Sequence, residues 1–159
     1  MATFAVLGKR KRKLPDPSLL FWKTAMAFLL VSATMAAALE FYAGEYYNEA
    51  VMLAGMCAGF GFVYSLINGM LYKIVPFLSW FHLASKGVFE APTMKDMLDD
   101  LWIKIQFSLY LIFLLCMIIT VFYPSLYFLM GYSLLFSSLF LFTNLLSVMN
   151  KYNIISRKH

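Results

Sequence analysis

Residues 50–71 read AVMLAGMCAGFGFVYSLINGML, a stretch without a single charged side chain. A helix needs about 20 predominantly apolar residues to cross the hydrocarbon core of a bilayer, so this stretch predicts a transmembrane helix. Three further stretches share its length and apolar character, at residues 19–39, 102–122 and 126–148. The predicted fold class is therefore all-α, an integral membrane bundle of four helices over residues 19–148.

The composition excludes a soluble enzyme and a disordered chain. Of the 159 residues, 62% are hydrophobic and 13% are charged, whereas a soluble domain has about 45–50% apolar and about 25% charged residues. A chain of this size leaves about 30% of its unfolded surface exposed after folding. A single soluble core cannot hide such an excess of apolar side chains, so a bilayer is the expected solvent.

The charged residues predict the orientation of the bundle. The segment between the first two helices carries Glu40, Glu45 and Glu49 and no lysine or arginine. The basic residues lie in an N-terminal tail (residues 1–18), a C-terminal tail (residues 149–159), the loop between the second and third helices, and the adjoining helix ends. Because basic loops stay in the cytoplasm, both termini of this multi-pass protein are predicted to be cytoplasmic.

The densest group of basic residues directly precedes the first apolar stretch. It consists of Lys9, Arg10, Lys11, Arg12 and Lys13. A basic segment at this place is typical of a topology signal that also contacts anionic lipid headgroups. Lipids, and not nucleic acid, are therefore the partners predicted for it.

The stretch that follows the second helix leaves two alternatives open. Residues 72–83 read YKIVPFLSWFHL, and Pro76 disfavours the helical conformation of the residue before it but is well tolerated in a first helical turn. Either the second helix continues past a kink, or a short interfacial helix begins at Pro76. We predict the interfacial helix, followed by a turn that Thr93 caps and that continues into the third helix.

Small residues on the second helix predict how the bundle packs. Gly55 and Gly59 form a Gly-x-x-x-Gly pair, and Gly61, Ser65 and Asn68 follow an adjacent stripe. Helices in lipid associate through close backbone contact at small residues and through hydrogen bonds between polar ones. We therefore predict that these five residues pack inside the bundle.

Aromatic side chains on the third and fourth helices predict the outer faces. Large aromatic rings can contact lipid and also interlock with another membrane subunit. The residues concerned are Phe107, Tyr110, Phe113, Phe128, Tyr132, Phe136, Phe140 and Phe142.

The candidate ligands for a cofactor are few. The two histidines are His82 and His159, so a haem with two histidine ligands from facing helices is not expected. A haem with His82 as its single protein ligand remains an alternative to an interfacial histidine bonded to water or lipid. Met52, Met56 and Cys57 lie close together in the sequence and could bind Cu(I), but core packing is the favoured interpretation, and no metal site is predicted.

Motifs for catalysis are missing from the sequence. It contains no Gly-x-Ser-x-Gly elbow, no phosphate-binding glycine loop and no His-Glu-x-x-His. No acidic or basic residue falls in the middle of a predicted span, although ion pumps normally keep one there. We therefore predict no catalytic residue and no enzymatic activity for the chain alone.

One segment resembles a known group of proteins. Residues 69–83 read GMLYKIVPFLSWFHL and residues 91–97 read APTMKDM, which resembles the C-terminal part of bacterial polytopic proteins described as haem-copper-oxidase subunit I-like or NnrS-like. Those proteins have many more spans and several histidines, so a complete haem-copper centre is not implied. The resemblance implies a detached four-helix module in the bacterial inner membrane, with neighbouring subunits in place of the missing helices.

These features predict a small non-catalytic subunit that packs against larger integral membrane subunits and stabilises their complex, such as a respiratory or metal-dependent oxidoreductase. One alternative is a haem- or copper-handling protein that uses His82 together with Met70 or Tyr72. The other is a small transporter or lipid-binding protein that uses a stripe of Ser65, Asn68 and Asn144.

Overall fold

The computed structural model describes residues 16–41, 44–86 and 96–157, and these residues form helices and turns without a β-strand. Four helices result: α1 (Ser18–Leu39), α2 (Tyr47–Ser85), α3 (Asp100–Phe122) and α4 (Tyr127–Ser156), the last preceded by a 3-10 turn at Pro124–Leu126. Each helix is long and apolar enough to cross a membrane. The prediction of an all-α chain with four such helices is confirmed, and it is consistent with a multi-pass membrane protein.

An acidic side chain accepts hydrogen bonds at the start of the first helix and at the start of the third. The Asp16 carboxylate accepts hydrogen bonds from the backbone nitrogen of Ser18 at 3.0 Å and from its hydroxyl at 2.7 Å. The Asp99 carboxylate accepts one from the backbone nitrogen of Leu101 at 3.0 Å, which satisfies a donor that every helix start leaves free. The cap predicted at Thr93 lies outside the described residues.

The prediction of a separate interfacial helix at Pro76 is wrong. Helix α2 continues through Pro76 and ends at Ser85. A proline inside a helix costs about 3 kcal/mol or more because it removes a hydrogen bond and crowds the preceding turn. Packing offsets this cost, since Tyr72, Pro76 and Leu83 recur at helical spacing and are all buried in the bundle.

The middle of α2 is wider than an α-helix. Residues Cys57–Tyr64 form a π-helix, a rare conformation that is frequent at special sites in longer helices. The Tyr110 hydroxyl of α3 donates to the backbone oxygens of Phe60 and Gly61, at 2.8 and 3.2 Å. The wide turn is thereby bonded directly to the neighbouring helix.

The ends of α2 and α4 extend beyond the predicted spans and meet there. The Lys86 ammonium donates to the Ser156 hydroxyl at 2.8 Å and lies 5.6 Å from the centre of the Tyr152 ring. One turn back, the Lys151 ammonium donates to the backbone oxygen of Asp96 at 3.1 Å. These contacts explain why α4 continues past residue 148, where hydropathy alone ends it.

Helix α2 lies at the centre of the packing. It contacts α1 along most of its length, α3 through its first half and α4 through its second half, while α3 and α4 form a hairpin. Helix α3 contributes the most buried span and α4 the least.

Aromatic rings fill the interior between the helices. Phe21 packs edge-on against Phe107 with ring centres 4.9 Å apart, and Phe60 does the same against Phe113 at 5.4 Å. Tyr110 and Phe113 are fully buried, so their predicted place on an outer face is wrong. One side of α3 faces the interior, and Phe107, Tyr110 and Phe113 pack there, whereas Trp102 and Phe122 at its ends are exposed. Of the eight aromatic residues predicted on outer faces, the exposed ones lie on α4, at Phe128, Tyr132, Phe136 and Phe142.

Candidate functional site

Buried polar side chains connect all four helices, and one layer of them lies at Tyr72. The side-chain nitrogen of Asn144 on α4 donates to the Tyr72 hydroxyl on α2 at 2.9 Å and to the backbone oxygen of Trp102 on α3 at 3.3 Å. Asn144 is 6% exposed and Tyr72 is 5% exposed. This layer therefore fixes three helices at one level of the bundle.

A second layer lies nearer the π-helix. The Ser65 hydroxyl donates to the backbone oxygen of Phe21 at 2.8 Å and joins α2 to α1. The Tyr64 hydroxyl shares a hydrogen bond of 2.9 Å with the Ser138 hydroxyl of α4. Together with the bonds of the Tyr110 hydroxyl, these contacts satisfy the polar groups of this layer.

Asn68 and Gln106 lie between the two layers. Both side chains are buried, and the amide nitrogen of Gln106 contacts the Ser137 hydroxyl at 3.4 Å. Both polar atoms of the Asn68 amide and the oxygen of the Gln106 amide have no hydrogen-bond partner among the described residues. Ser65, Asn68 and Asn144, the stripe named for a transporter, are thus all in the interior, two of them engaged in bonds between helices.

Two glycines of α2 support close contact with α1. A Cβ atom added to Gly61 would collide with the Phe28 ring, and one added to Gly69 would lie 2.8 Å from a Trp22 ring carbon. The true close-packing motif is therefore Gly61, Ser65 and Gly69, which recur every fourth residue. Gly69 was not among the predicted packing residues, although this regular spacing was visible in the sequence.

The predicted crossing at Gly55 and Gly59 is wrong for contacts with the residues that the structure describes. Both glycines are exposed, and a Cβ atom added to either would meet nothing within 4 Å. The reason is geometric, because residues two positions apart on a helix point to different sides, so adjacent stripes face different neighbours. Gly61, Ser65 and Asn68 lie on the buried stripe with Ala54 and Cys57, whereas Gly55 and Gly59 face outward.

His82 lies apart from the polar interior. Its side chain is exposed on α2, with the Phe81 ring centre 6.3 Å from its own. Tyr72 precedes it by ten positions on one continuous helix, a rise of about 15 Å, and Met70 is farther away. Neither can share a small ligand site with His82 on this helix, so the pairing with Met70 or Tyr72 is wrong.

The described residues contain no group of three His, Cys, Asp or Glu side chains placed to hold a metal ion. Cys57 and Cys116 are buried free thiols. Met52, one of the three residues considered for Cu(I) binding, is exposed at 43%, while Cys57 lies in the interior.

One ion pair joins the start of α1 to α2. The Lys73 ammonium lies 3.5 Å from the Asp16 carboxylate. Burial disfavours the charged carboxylate, but the Ser18 hydrogen bonds and the Lys73 charge outweigh this effect and hold the pKa of Asp16 below its ordinary value of 3.8. The basic group at residues 9–13 lies outside the described residues.

The opposite end of the bundle carries an apolar cleft of about 360 Å³ between α1, α2 and the α3–α4 hairpin. Its walls include Met35, Leu53 and Phe122, with Glu49 and Tyr46 at its edge. Clefts of this size and lining accept apolar groups such as lipid chains.

No protein-family model matches this chain, and neither a curated protein nor a solved structure matches it. The resemblance of residues 69–97 to haem-copper-oxidase subunit I-like and NnrS-like proteins therefore stays a prediction.

Proposed function

We propose that this chain is a small non-catalytic membrane subunit that binds larger integral membrane subunits through the outer faces of α2 and α4 and stabilises their complex. The observation that carries the proposal is the exposure of Gly55 and Gly59. They form a smooth stripe on α2 that no described residue of the chain occupies.

A pair of exposed glycines lowers the stability of a helix, and contact with lipid does not offset this loss. Glycine in a helix interior is about 0.8–1.0 kcal/mol less favourable than alanine. Lipid chains gain nothing specific from a missing side chain, whereas a second helix can approach its backbone closely there. Gly55 and Gly59 are therefore better explained by a helix of another subunit than by lipid.

The outer face of α4 supports the same conclusion. Phe128, Tyr132 and Phe136 recur every fourth residue and are 57%, 61% and 61% exposed. Such a row of rings presents a large apolar area with directional edges and faces, which suits interlocking with another helix. Since α4 is the least buried helix, it has the most surface for a partner.

The location belongs to this proposal as well. The acidic segment between α1 and α2 and the basic tails favour cytoplasmic termini. The resemblance of residues 69–97 favours the bacterial inner membrane and a respiratory or other metal-dependent oxidoreductase as the complex.

Purification from native membranes in mild detergent tests the proposal. The tagged chain should retain larger membrane proteins in a fixed ratio, and Gly59→Leu should remove them without changing the melting temperature of the chain. Ala36→Leu, which adds comparable bulk to an exposed position on α1, is the matched control and should retain them. A wild-type chain that purifies only as a stable monomer would contradict the proposal.

A further inference from the structure

Two carboxamides in the bundle interior lack hydrogen-bond partners. Asn68 on α2 is 1% exposed, and neither its side-chain nitrogen nor its oxygen is bonded to any residue that the structure describes. Gln106 on α3 is fully buried, and its side-chain oxygen is likewise unbonded within the described ranges. A carboxamide offers two donors and an acceptor oxygen, so much of this bonding capacity is unused.

The two amides lie at the same level of the bundle. Tyr72 of α2 and Trp102 of α3 share one level, because the Asn144 amide bonds to both. Asn68 is four residues from Tyr72 and Gln106 is four residues from Trp102, a rise of about 6 Å in each case. Both steps lead toward the level where the Tyr110 hydroxyl bonds to Gly61. Asn68 and Gln106, both buried, therefore lie at one level between the two hydrogen-bonded layers.

The indole of Trp22 on α1 adds a third group to this layer. Its ring nitrogen is buried without a partner among the described residues, and it lies 2.9 Å from the position of a Cβ atom at Gly69, the neighbour of Asn68. An indole nitrogen only donates, and the Gln106 oxygen only accepts. We call Trp22, Asn68 and Gln106 the amide layer.

The amide layer has the chemistry of a hydration site. A buried polar group without a partner costs about 1–3 kcal/mol, and four such atoms in one layer would make the interior strongly unfavourable. A buried water molecule typically makes about three hydrogen bonds to such groups. Water can accept from the Trp22 and Asn68 donors and donate to the Asn68 and Gln106 oxygens, which satisfies every group in the layer.

We propose that the amide layer binds one or two ordered water molecules that bridge α1, α2 and α3 in the bundle interior. The polar layers on either side make their own direct hydrogen bonds, so the water is confined between them. Bound water explains why positions 68 and 106 in the interior carry carboxamide side chains and not apolar ones such as leucine.

A double-mutant cycle on the detergent-purified full chain gives the first test. Asn68→Leu and Gln106→Met replace each amide by an apolar side chain of similar size. If water bridges them, each single change should lower the melting temperature by about 2–4 °C, and the double variant should lose less than the sum. If the amides are dry and unbonded, each change should raise the melting temperature, which would overturn the proposal.

Nuclear magnetic resonance of the wild-type chain gives a second test that does not depend on how the variants fold. Cross-peaks from the water resonance to the Asn68 side-chain amide and the Trp22 indole proton are expected. The Asn144 amide, bonded directly to Tyr72 and Trp102, is the dry control and should give none. A direct cross-peak between the Asn68 and Gln106 amides without one to water would overturn the proposal.

Discussion

The amide nitrogen of Asn144 lies 2.9 Å from the hydroxyl oxygen of Tyr72, and this buried hydrogen bond joins α4 to α2. Helix α4 is otherwise the least buried of the four, so its position depends strongly on this contact. The same amide also reaches the backbone oxygen of Trp102 on α3. Asn144 thus fixes the α3–α4 hairpin against the centre of the bundle.

Asn144→Leu should therefore destabilise the chain more than Tyr72→Phe does. The first change leaves both the Tyr72 hydroxyl and the Trp102 carbonyl without this donor, and each unsatisfied buried group costs about 1–3 kcal/mol. The second removes one hydroxyl and leaves the Trp102 bond intact. Thermal unfolding of both variants in the same detergent checks the order, and equal losses would contradict it.

Gly61→Ala should destabilise the chain, whereas Gly59→Ala should leave it unchanged or slightly more stable. The new methyl group at position 61 collides with the Phe28 ring, and such overpacking typically costs about 1–3 kcal/mol. At position 59 it meets open space, and alanine is the better helix former. Melting temperatures of the two isolated variants provide the measurement, and a neutral Gly61→Ala would show that α1 does not pack closely there.

Phe113→Ala should cost about 3–5 kcal/mol, because it empties a fully buried position that contacts the Phe60 and Tyr110 rings. Phe136→Ala removes the same ring from an exposed position and should change the stability of the isolated chain little. Denaturant titration of both variants compares them. Similar losses would place Phe136 in the core, against the structure.

The Asp16–Lys73 ion pair should make stability depend on pH in the acidic range. Because the folded pKa of Asp16 lies below 3.8, its contribution is fully present above the unfolded pKa and is lost as the pH falls through the folded value. Asp16→Asn should therefore reduce the fall in melting temperature between about pH 5 and about pH 3. Both groups are partly exposed, so high salt should weaken the effect; identical pH profiles for the two proteins would contradict the assignment.

The sequence predicted the number of helices because each apolar stretch is bounded by charged residues or by a turn. It also predicted α1 and α3 closely, since the apolar stretches at residues 19–39 and 102–122 nearly coincide with Ser18–Leu39 and Asp100–Phe122. Hydropathy could not show that α2 continues through Pro76, because burial of Tyr72, Pro76 and Leu83 depends on neighbours that are distant in the sequence.

The faces of the helices were harder to predict than their existence. Gly55 with Gly59 and Gly61 with Gly69 are both regular stripes on α2, and a single sequence does not show which one meets α1. Which of the two stripes packs against α1 depends on where the Phe28 and Trp22 side chains of α1 lie. The level shared by Asn68 and Gln106 likewise depends on the stagger between α2 and α3, which no local pattern encodes.

Photo-crosslinking from the edge of the glycine stripe in intact membranes tests the proposed subunit function most directly. Val63 is exposed on α2, four residues after Gly59, so a benzophenone side chain in its place leaves Gly55 and Gly59 unchanged. It should yield one discrete adduct with a larger membrane protein, whereas the same group in place of Ala36 on α1 should not. If position 63 gives only lipid adducts while the chain remains folded, the outer face of α2 contacts the bilayer and the proposal is contradicted.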